Sequence, residues 1–277
     1  MAGGKVGSIE GTQADLYTTV NVVSSADSTI DDVSFDKATT LNVSGAGVTT
    51  FTANDSVLVL ATVTSTGGGL SLGTALGTGV TFTGGAGVET IEIGETTKAI
   101  TMGAGNDTVE LTSGVTALGT GGSIAAGDGT DTLFFAASAD AATASADGTF
   151  QDSISGFESL KLGALTANRA INLDLLDDIN TVSLAGGTTD DTLTITNAAT
   201  GYDLTVSAAM SDAGASTSSM AVDGTADSAT LTVSSSADMD SGTHTLTGFE
   251  TVNMSAGDSN LVNPGTTDHT IELVAAS

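Results

Sequence analysis

Acidic residues recur beside glycines in one segment of the chain, residues 84–110. Divided into nines, the segment reads GGAGVETIE (84–92), IGETTKAIT (93–101) and MGAGNDTVE (102–110). The first and third units match the pattern G-G-x-G-x-D-x-U-x, in which U is a large apolar residue. Glu89 replaces the usual Asp in the first unit, and Met102 replaces the first Gly in the third. Glycine turns and carboxylates at this spacing favour the binding of a hard cation through oxygen.

Two further copies follow along the chain. AGDGTDTLF (126–134) lacks only the first Gly of the pattern. GGTTDDTLT (186–194) is weaker, because Thr189 stands where the second turn glycine is expected. One isolated copy would mean little, whereas copies in a fixed register indicate a repeat architecture.

The register follows from the geometry of the repeat. Each nonapeptide is a six-residue turn followed by a three-residue strand, so two of them complete one coil and units 18 residues apart stack on the same edge. This predicts that Glu89 lies directly beneath Asp107. Asp131 follows 24 residues after Asp107, and a six-residue insertion within 113–123 would keep it in the same column.

This stack predicts a cage for several Ca²⁺ ions. Glycine permits positive φ, which turns backbone carbonyls inward, and carbonyls and carboxylates together supply about six oxygen ligands. The predicted ligands are Gly85, Gly87, Glu89, Gly103, Gly105, Asn106, Asp107, Gly127, Asp128, Gly129 and Asp131, with Asp190 and Asp191 in the weaker copy. The alternative is that these segments are only the Gly-Asp turns of a metal-free solenoid.

The elements that must position these residues are short alternating strands. They are expected at 40–43, 50–52, 59–63, 70–72, 80–82, 90–93, 99–102 and 108–111, and again at 182–184, 192–195, 203–206 and 230–233. The strands at 90, 99 and 108 begin nine residues apart, which is too tight for a sandwich. The sequence therefore predicts an all-β fold, a parallel β-helix or β-roll solenoid with calcium-binding nonapeptide repeats.

A second repeated phrase is G-F-E. GFESLKL (156–162) and GFETVNM (248–254) share it, and Phe157 and Phe249 are expected to anchor the core. Short helices are expected at 136–146 and 173–179. We predict one continuous solenoid over 1–277, with N-terminal rungs at 1–79, a calcium block at 80–135 and irregular rungs at 136–277.

Composition limits the possible functions. The chain of 277 residues has 33 acidic and 5 basic residues, a net charge of −28 and no cysteine. Such a surface repels nucleic acid and anionic membranes, and it has neither a thiolate metal site nor a disulfide. His244 and His269 are expected at the surface. No catalytic motif is visible, so we expect the protein not to be an enzyme. No apolar run is long enough to insert into a membrane, and no N-terminal signal peptide is visible.

The quoted motifs resemble those of the RTX-type calcium-binding S-layer proteins of Caulobacter and its relatives. The residues that carry the resemblance are TFTGGAGVETIEIGETTKAITMGAGNDTVEL (81–111), GGSIAAGDGTDTLFF (121–135), GFESLKL (156–162) and GFETVNM (248–254). The resemblance covers roughly 40–255. It implies a calcium-bound solenoid that is secreted by a type I channel to the cell surface. It also implies assembly with itself or neighbouring S-layer subunits into a lattice.

The resemblance is incomplete at the ends of the chain. Members of the family are longer and anchor to outer-membrane lipopolysaccharide through a region not evident in this sequence. The chain is therefore expected to be a fragment or a short form. One alternative is a calcium-stiffened spacer of a type I-secreted adhesin or biofilm matrix protein. Another is a polysaccharide-acting β-helix enzyme, against which five basic residues and two tyrosines argue.

Overall fold

The computed structural model describes residues 2–10, 17–34, 37–52, 60–188, 190–210, 214–222, 224–235, 240–258 and 270–276. The chain divides into two compact units. The first is Met1–Leu133 with Ser153–Phe157, and the second is Phe134–Asp152 with Glu158–Ser277. Each unit is a parallel β-solenoid, which confirms the predicted fold class. That all 277 residues form one continuous solenoid stays a prediction.

Strands account for most of the described secondary structure. In chain order they are β1 Ala2–Glu10, β2 Thr19–Val23, β3 Ala26–Ser34, β4 Thr40–Gly45, β5 Thr49–Phe51, β6 Thr62–Gly67, β7 Gly69–Leu72, β8 Thr81–Thr83, β9 Val88–Ile93, β10 Ala99–Ala104, β11 Thr108–Leu111, β12 Ser123–Asp128, β13 Thr132–Phe135, β14 Ile154–Ser155, β15 Ser159–Leu162, β16 Arg169–Asn172, β17 Thr181–Leu184, β18 Thr192–Ala198, β19 Tyr202–Val206, β20 Ala215–Met220, β21 Ser228–Ser235, β22 Asp240–Thr247, β23 Thr251–Asp258 and β24 Thr270–Ala276. Helix within the described ranges is limited to α1 Ser138–Ala144 and two 3₁₀ turns, Gln151–Ser153 and Leu173–Leu175. None of these helices is long and apolar enough to cross a membrane.

In the first unit, consecutive strands belong to different sheets. One sheet has the order β1-β3-β5-β7-β9-β11-β13, and the other runs from β14 through β12, β10, β8, β6 and β4 to β2. All pairs are parallel, for example β9 with β11 and β10 with β12. Each coil therefore contributes one strand to each sheet, and neighbours within a sheet are one coil apart.

The second unit repeats this arrangement with its own strands. Its sheets have the orders β15-β17-β19-β21-β23 and β16-β18-β20-β22-β24. The pairing is again parallel, as in Thr181 with Asp203 and Thr192 with Ala215.

The core follows from the alternation of side chains along each strand. In β9, Glu89, Ile91 and Ile93 are buried, whereas Thr90 and Glu92 face outward and are half-buried. Because successive side chains point to opposite faces of a strand, inward positions of stacked coils form columns of Val, Leu, Ile and Phe. Such columns fill a narrow interior without the bulky aromatic residues that a thick globule needs.

The register confirms the predicted coil length. Thr90 pairs with Thr108, eighteen residues later, and Ile100 pairs with Ile124, twenty-four residues later. The extra residues of the longer coil lie between β11 and β12, at 112–122, where the insertion was predicted.

Most predicted elements are found, with two differences. The strand predicted at 59–63 begins at Thr62, and residue 59 lies outside the described residues. The helix predicted at 136–146 is α1, but the helix predicted at 173–179 is wrong, because only Leu173–Leu175 forms a 3₁₀ turn. Asp177 adopts a positive φ of 80°, which ends any helix at that point.

The two G-F-E phrases form the same turn. Gly156 and Gly248 both have φ of 81°, and each phrase leads directly into the next strand, β15 or β23. Phe157 is fully buried, as predicted. Phe249 is half-buried and stacks on Tyr202 with 6.1 Å between ring centroids.

The close stacking of glycines in successive coils gives the first testable prediction. Gly103 has φ of 107°, and a Cβ there would collide with the carbonyl oxygen of Gly85. We expect Gly103→Ala to lower the free energy of unfolding by at least about 1–3 kcal/mol, the cost of a disfavoured backbone conformation alone. Gly79→Ala is the matched control, because a Cβ at Gly79 meets nothing within 4 Å. Urea denaturation of both variants measures the difference, and equal unfolding midpoints would contradict the turn geometry.

Candidate metal centre

Glu89, Asp107 and Asp131 form a column inside the first unit, here called the carboxylate column. Each lies at or just before the start of an odd-numbered strand, and their exposed fractions are 0%, 1% and 0%. The backbone N–H of Glu89 donates to Asp107 Oδ1 at 2.7 Å, and the N–H of Asp107 donates to Asp131 Oδ1 at 2.7 Å. The structure therefore brings together the three acids in the stacked order that the repeat register predicts.

The carboxylate column leaves buried oxygen atoms without a hydrogen-bond partner. Glu89 Oε2 and Asp107 Oδ2 are both in this condition. A buried carboxylate that is neither paired nor fully hydrogen-bonded strongly disfavours its charged form. Protons or cations that neutralise these carboxylates therefore stabilise the column.

The pKa values express the same preference. Burial raises the pKa of Glu89 to about 7, opposed by the hydrogen bond from Ser65 and assisted by the charge of Asp107. Burial also raises the pKa of Asp107 to about 6, opposed by the N–H of Glu89 and assisted by the charge of Asp131. Without a cation, both groups thus hold protons at a higher pH than free carboxyls do.

Glycine turns bring backbone oxygens close to these carboxylates. A Cβ on Gly105 would collide with the Gly87 carbonyl oxygen and would lie 3.3 Å from Asp107 Oδ1. A Cβ on Gly84 would collide with the Met102 carbonyl oxygen and would lie 3.2 Å from Glu89 Oε2. Carbonyl and carboxylate oxygens therefore converge on small spaces that any side chain would fill.

These donors fit a hard cation such as Ca²⁺, which takes oxygen ligands from carboxylates and backbone carbonyls. Across the described ranges, no group of three or more Asp, Glu, His or Cys side chains is close enough to hold one ion. An ion in the column would therefore be coordinated by at most two carboxylates. The turn carbonyls would have to supply most of its other ligands, as the repeat pattern predicts.

The remaining predicted ligands of the block are glycines in turns and at strand ends. Gly85, Gly87, Gly105 and Gly129 lie in turns, whereas Gly103 and Gly127 lie near the ends of β10 and β12 and pair with each other. The N–H of Ala104 in β10 donates to the Gly85 carbonyl at 2.7 Å, which ties β10 to the turn of the coil below. The carbonyl oxygen has a second lone pair, so this bond leaves it able to ligate a cation.

Asn106 and Asp128 lie on the solvent side of the turns. The side chains of Asn106 and Asp128 are both exposed. Asn106 Oδ1 accepts a hydrogen bond from the N–H of Thr130 at 3.0 Å. The structure thus does not bring these two side chains to the carboxylate column, and their role as ligands stays a prediction.

Asp190 and Asp191 belong to the second unit, just before β18. Asp190 is exposed and Asp191 is half-buried. The Thr188 hydroxyl donates one hydrogen bond to Asp191 Oδ2 at 3.4 Å. Asp191 also lines an open cavity of about 500 Å³ with residues of the neighbouring turns. Thr189 lies outside the described residues. A metal role for this weaker copy stays a prediction.

Two polar residues are buried although their sequence context did not predict it. His244 is fully buried on β22, and its Nδ1 lies 2.6 Å from the Ser216 hydroxyl, so its predicted surface position is wrong. Alternation along Thr243–Thr247 places it on the inward face, and that pattern could have identified it. Ser65, also fully buried, donates to Glu89 Oε1 at 2.8 Å and was missed in the same way. His269 lies outside the described residues.

The raised pKa values predict how stability depends on pH in calcium-free buffer. The folded state binds a proton at Glu89 up to about pH 7, whereas the unfolded chain releases it near 4.5. The free energy of unfolding should therefore fall as pH rises through this window, since the folded state holds more protons than the unfolded one. Urea denaturation in a chelator at about pH 5 and pH 8 measures this.

The contribution of Glu89 can be isolated by substitution. Glu89→Gln should flatten the pH dependence, and Glu92→Gln, on the outward face of β9, should leave it unchanged. An equal pH dependence in wild type and Glu89→Gln would show that the buried carboxyl does not titrate in this way.

Comparison with known proteins assigns the chain to no family. A scan against protein-family models found no match. A search among curated proteins likewise found no significant match. The resemblance to RTX-type proteins therefore rests on the motif residues and on the parallel solenoid that carries them.

Proposed function

We propose that the protein is a secreted, calcium-binding structural protein that assembles with copies of itself or neighbouring subunits into a bacterial surface layer, and is not an enzyme. The observation that supports this most is the carboxylate column of Glu89, Asp107 and Asp131, fully buried beneath stacked glycine turns. A buried stack of acids is costly as a purely structural device, whereas it suits a bound divalent cation.

The ligands follow from the stacking of the turns. One ion would lie between Glu89 and Asp107, with carbonyls of Gly85, Gly87, Gly103 and Gly105. A second ion would lie between Asp107 and Asp131, with carbonyls of the turn that contains Gly127 and Gly129. Calcium bound there would neutralise the column and tie adjacent coils together. Asp107 would belong to both sites.

Calcium binding at these sites would be coupled to folding. The ligands come from different coils, so the cages exist only in the folded state, and ion binding contributes to the free energy of folding. The net charge of −28 adds repulsion that bound cations would reduce. We therefore propose a chain that is loosely folded at low calcium and coils up where calcium is abundant, after type I secretion.

Assembly would use the open ends of the coils. β1 and β2 are the outermost strands of the first unit's two sheets. An outermost strand offers backbone N–H and C=O groups to another chain, and solenoid ends either are capped or join end to end. Cations that lower the repulsion between acidic copies would favour this contact.

Calcium titration of the purified chain tests the proposal. Calcium should raise the β content measured by circular dichroism and raise the unfolding temperature, while magnesium should do so far less, because Mg²⁺ demands smaller octahedral sites. Asp107→Asn should remove most of this effect, since Asp107 serves both sites. Glu95→Gln, which likewise replaces a carboxylate with an amide, is the matched control, because Glu95 is exposed and is not among the predicted ligands.

Electron microscopy of the calcium-loaded chain separates the candidate functions. Ordered sheets support the surface-layer proposal. A calcium-folded chain that stays monomeric supports the alternative of a stiff adhesin spacer. A chain that is fully folded in chelator and indifferent to calcium would overturn the metal assignments.

A further inference from the structure

The three acids of the carboxylate column do not make the same contacts. Asp107 and Asp131 each accept the backbone N–H of the acid one coil below. Glu89 departs from this pattern, because its Oε1 accepts the hydroxyl of Ser65 at 2.8 Å. Glu89 is also the only one of the three with the longer side chain.

Ser65 lies outside the nonapeptide repeats, in β6. It is fully buried, on the inward face of the strand. Thr64 pairs with Thr83, so Ser65 stacks beneath Gly84, and the same register continues to Met102 and then Ala126. None of the three positions above Ser65 carries a polar side chain, so the hydroxyl belongs to the coil directly beneath the carboxylate column and not to the repeat.

The position beneath Glu89 explains why a hydroxyl is useful there. Leu70 pairs with Glu89 and is fully buried, so the column of acids ends on an apolar side chain. Glu89 at this end has no acid beneath it, and the Ser65 hydroxyl contacts its carboxylate together with the backbone N–H of Gly85. An Asp side chain is one methylene shorter, and in this column the two Asp residues contact the coil directly below rather than the opposite sheet.

We infer that Ser65 is a positioning residue for the lower cation site, and that Glu89 is required there because only Glu reaches Ser65. The hydroxyl holds Oε1, which leaves Oε2, a buried atom without a hydrogen-bond partner, to receive the ion. This inference rests on the proposed function. On this inference, the lower site requires the departure from the repeat consensus at Glu89.

Calcium affinity of the full chain, measured by isothermal titration calorimetry, tests the inference. Glu89→Asp restores the consensus residue. It should nevertheless lower the affinity for one of the two ions by roughly 10–100-fold, the usual cost of disturbing a group that orients a metal ligand. Ser65→Ala should lower the affinity for the same ion to a similar extent. The double variant should be no weaker than either single variant, because both changes break one contact.

A matched pair of substitutions separates the hydroxyl from packing. Ser65→Thr keeps the hydroxyl and should bind calcium nearly as the wild type does, whereas Ser65→Val, of almost the same shape, should not. Ser71→Ala, on the outward face of β7, is the control for loss of a serine hydroxyl. Circular dichroism at saturating calcium checks that the variants reach the same β content as the wild type.

The outcomes distinguish the inference from the proposed function. If the wild type binds no calcium, the proposed function fails and the inference fails with it. If the wild type binds two ions and Glu89→Asp binds as tightly or more tightly, the inference alone is overturned. Additive losses in the double variant would also overturn it, since Ser65 and Glu89 would then act independently.

Discussion

Removing carboxylates from water is the constraint on which the first unit depends. Three acids occupy inward positions where the coils below hold Leu70, Thr49 and Ser28. A buried charge without a partner costs several kcal/mol. The raised pKa values of Glu89 and Asp107 are the direct sign of this cost. Whatever neutralises the column therefore controls whether these coils are stable.

The parallel register makes this constraint cumulative. Each coil places its residues directly above the same positions of the coil below, so an acid, a glycine or an apolar residue repeats as a column. Glycines pack so closely in the turns that their carbonyls lie beside the carboxylates. The oxygen-rich spaces thus depend on two columns together, one of glycine and one of acid, and neither would create them alone.

Much of this arrangement could be predicted from the repeat, because register depends on sequence spacing. The stacking of Glu89, Asp107 and Asp131 and the position of the longer coil followed from intervals of 18 and 24 residues. Burial of single polar residues could not be predicted so directly. His244 and Ser65 lie on strands rich in Thr and Ser, where a single apolar residue, Leu246 or Val63, marks the inward face. The second predicted helix failed because Asp177 turns the backbone out of helical conformation, which residue type alone does not reveal.

The variable length of the coils has an evolutionary consequence. The residues at 112–122 lengthen one coil without moving either sheet out of register, so Asp131 still stacks on Asp107. Growth of loops and retention of the carboxylate column are therefore separable traits. New surface could be added to such a chain at its loops, through insertion alone, while the interior that governs folding stays unchanged.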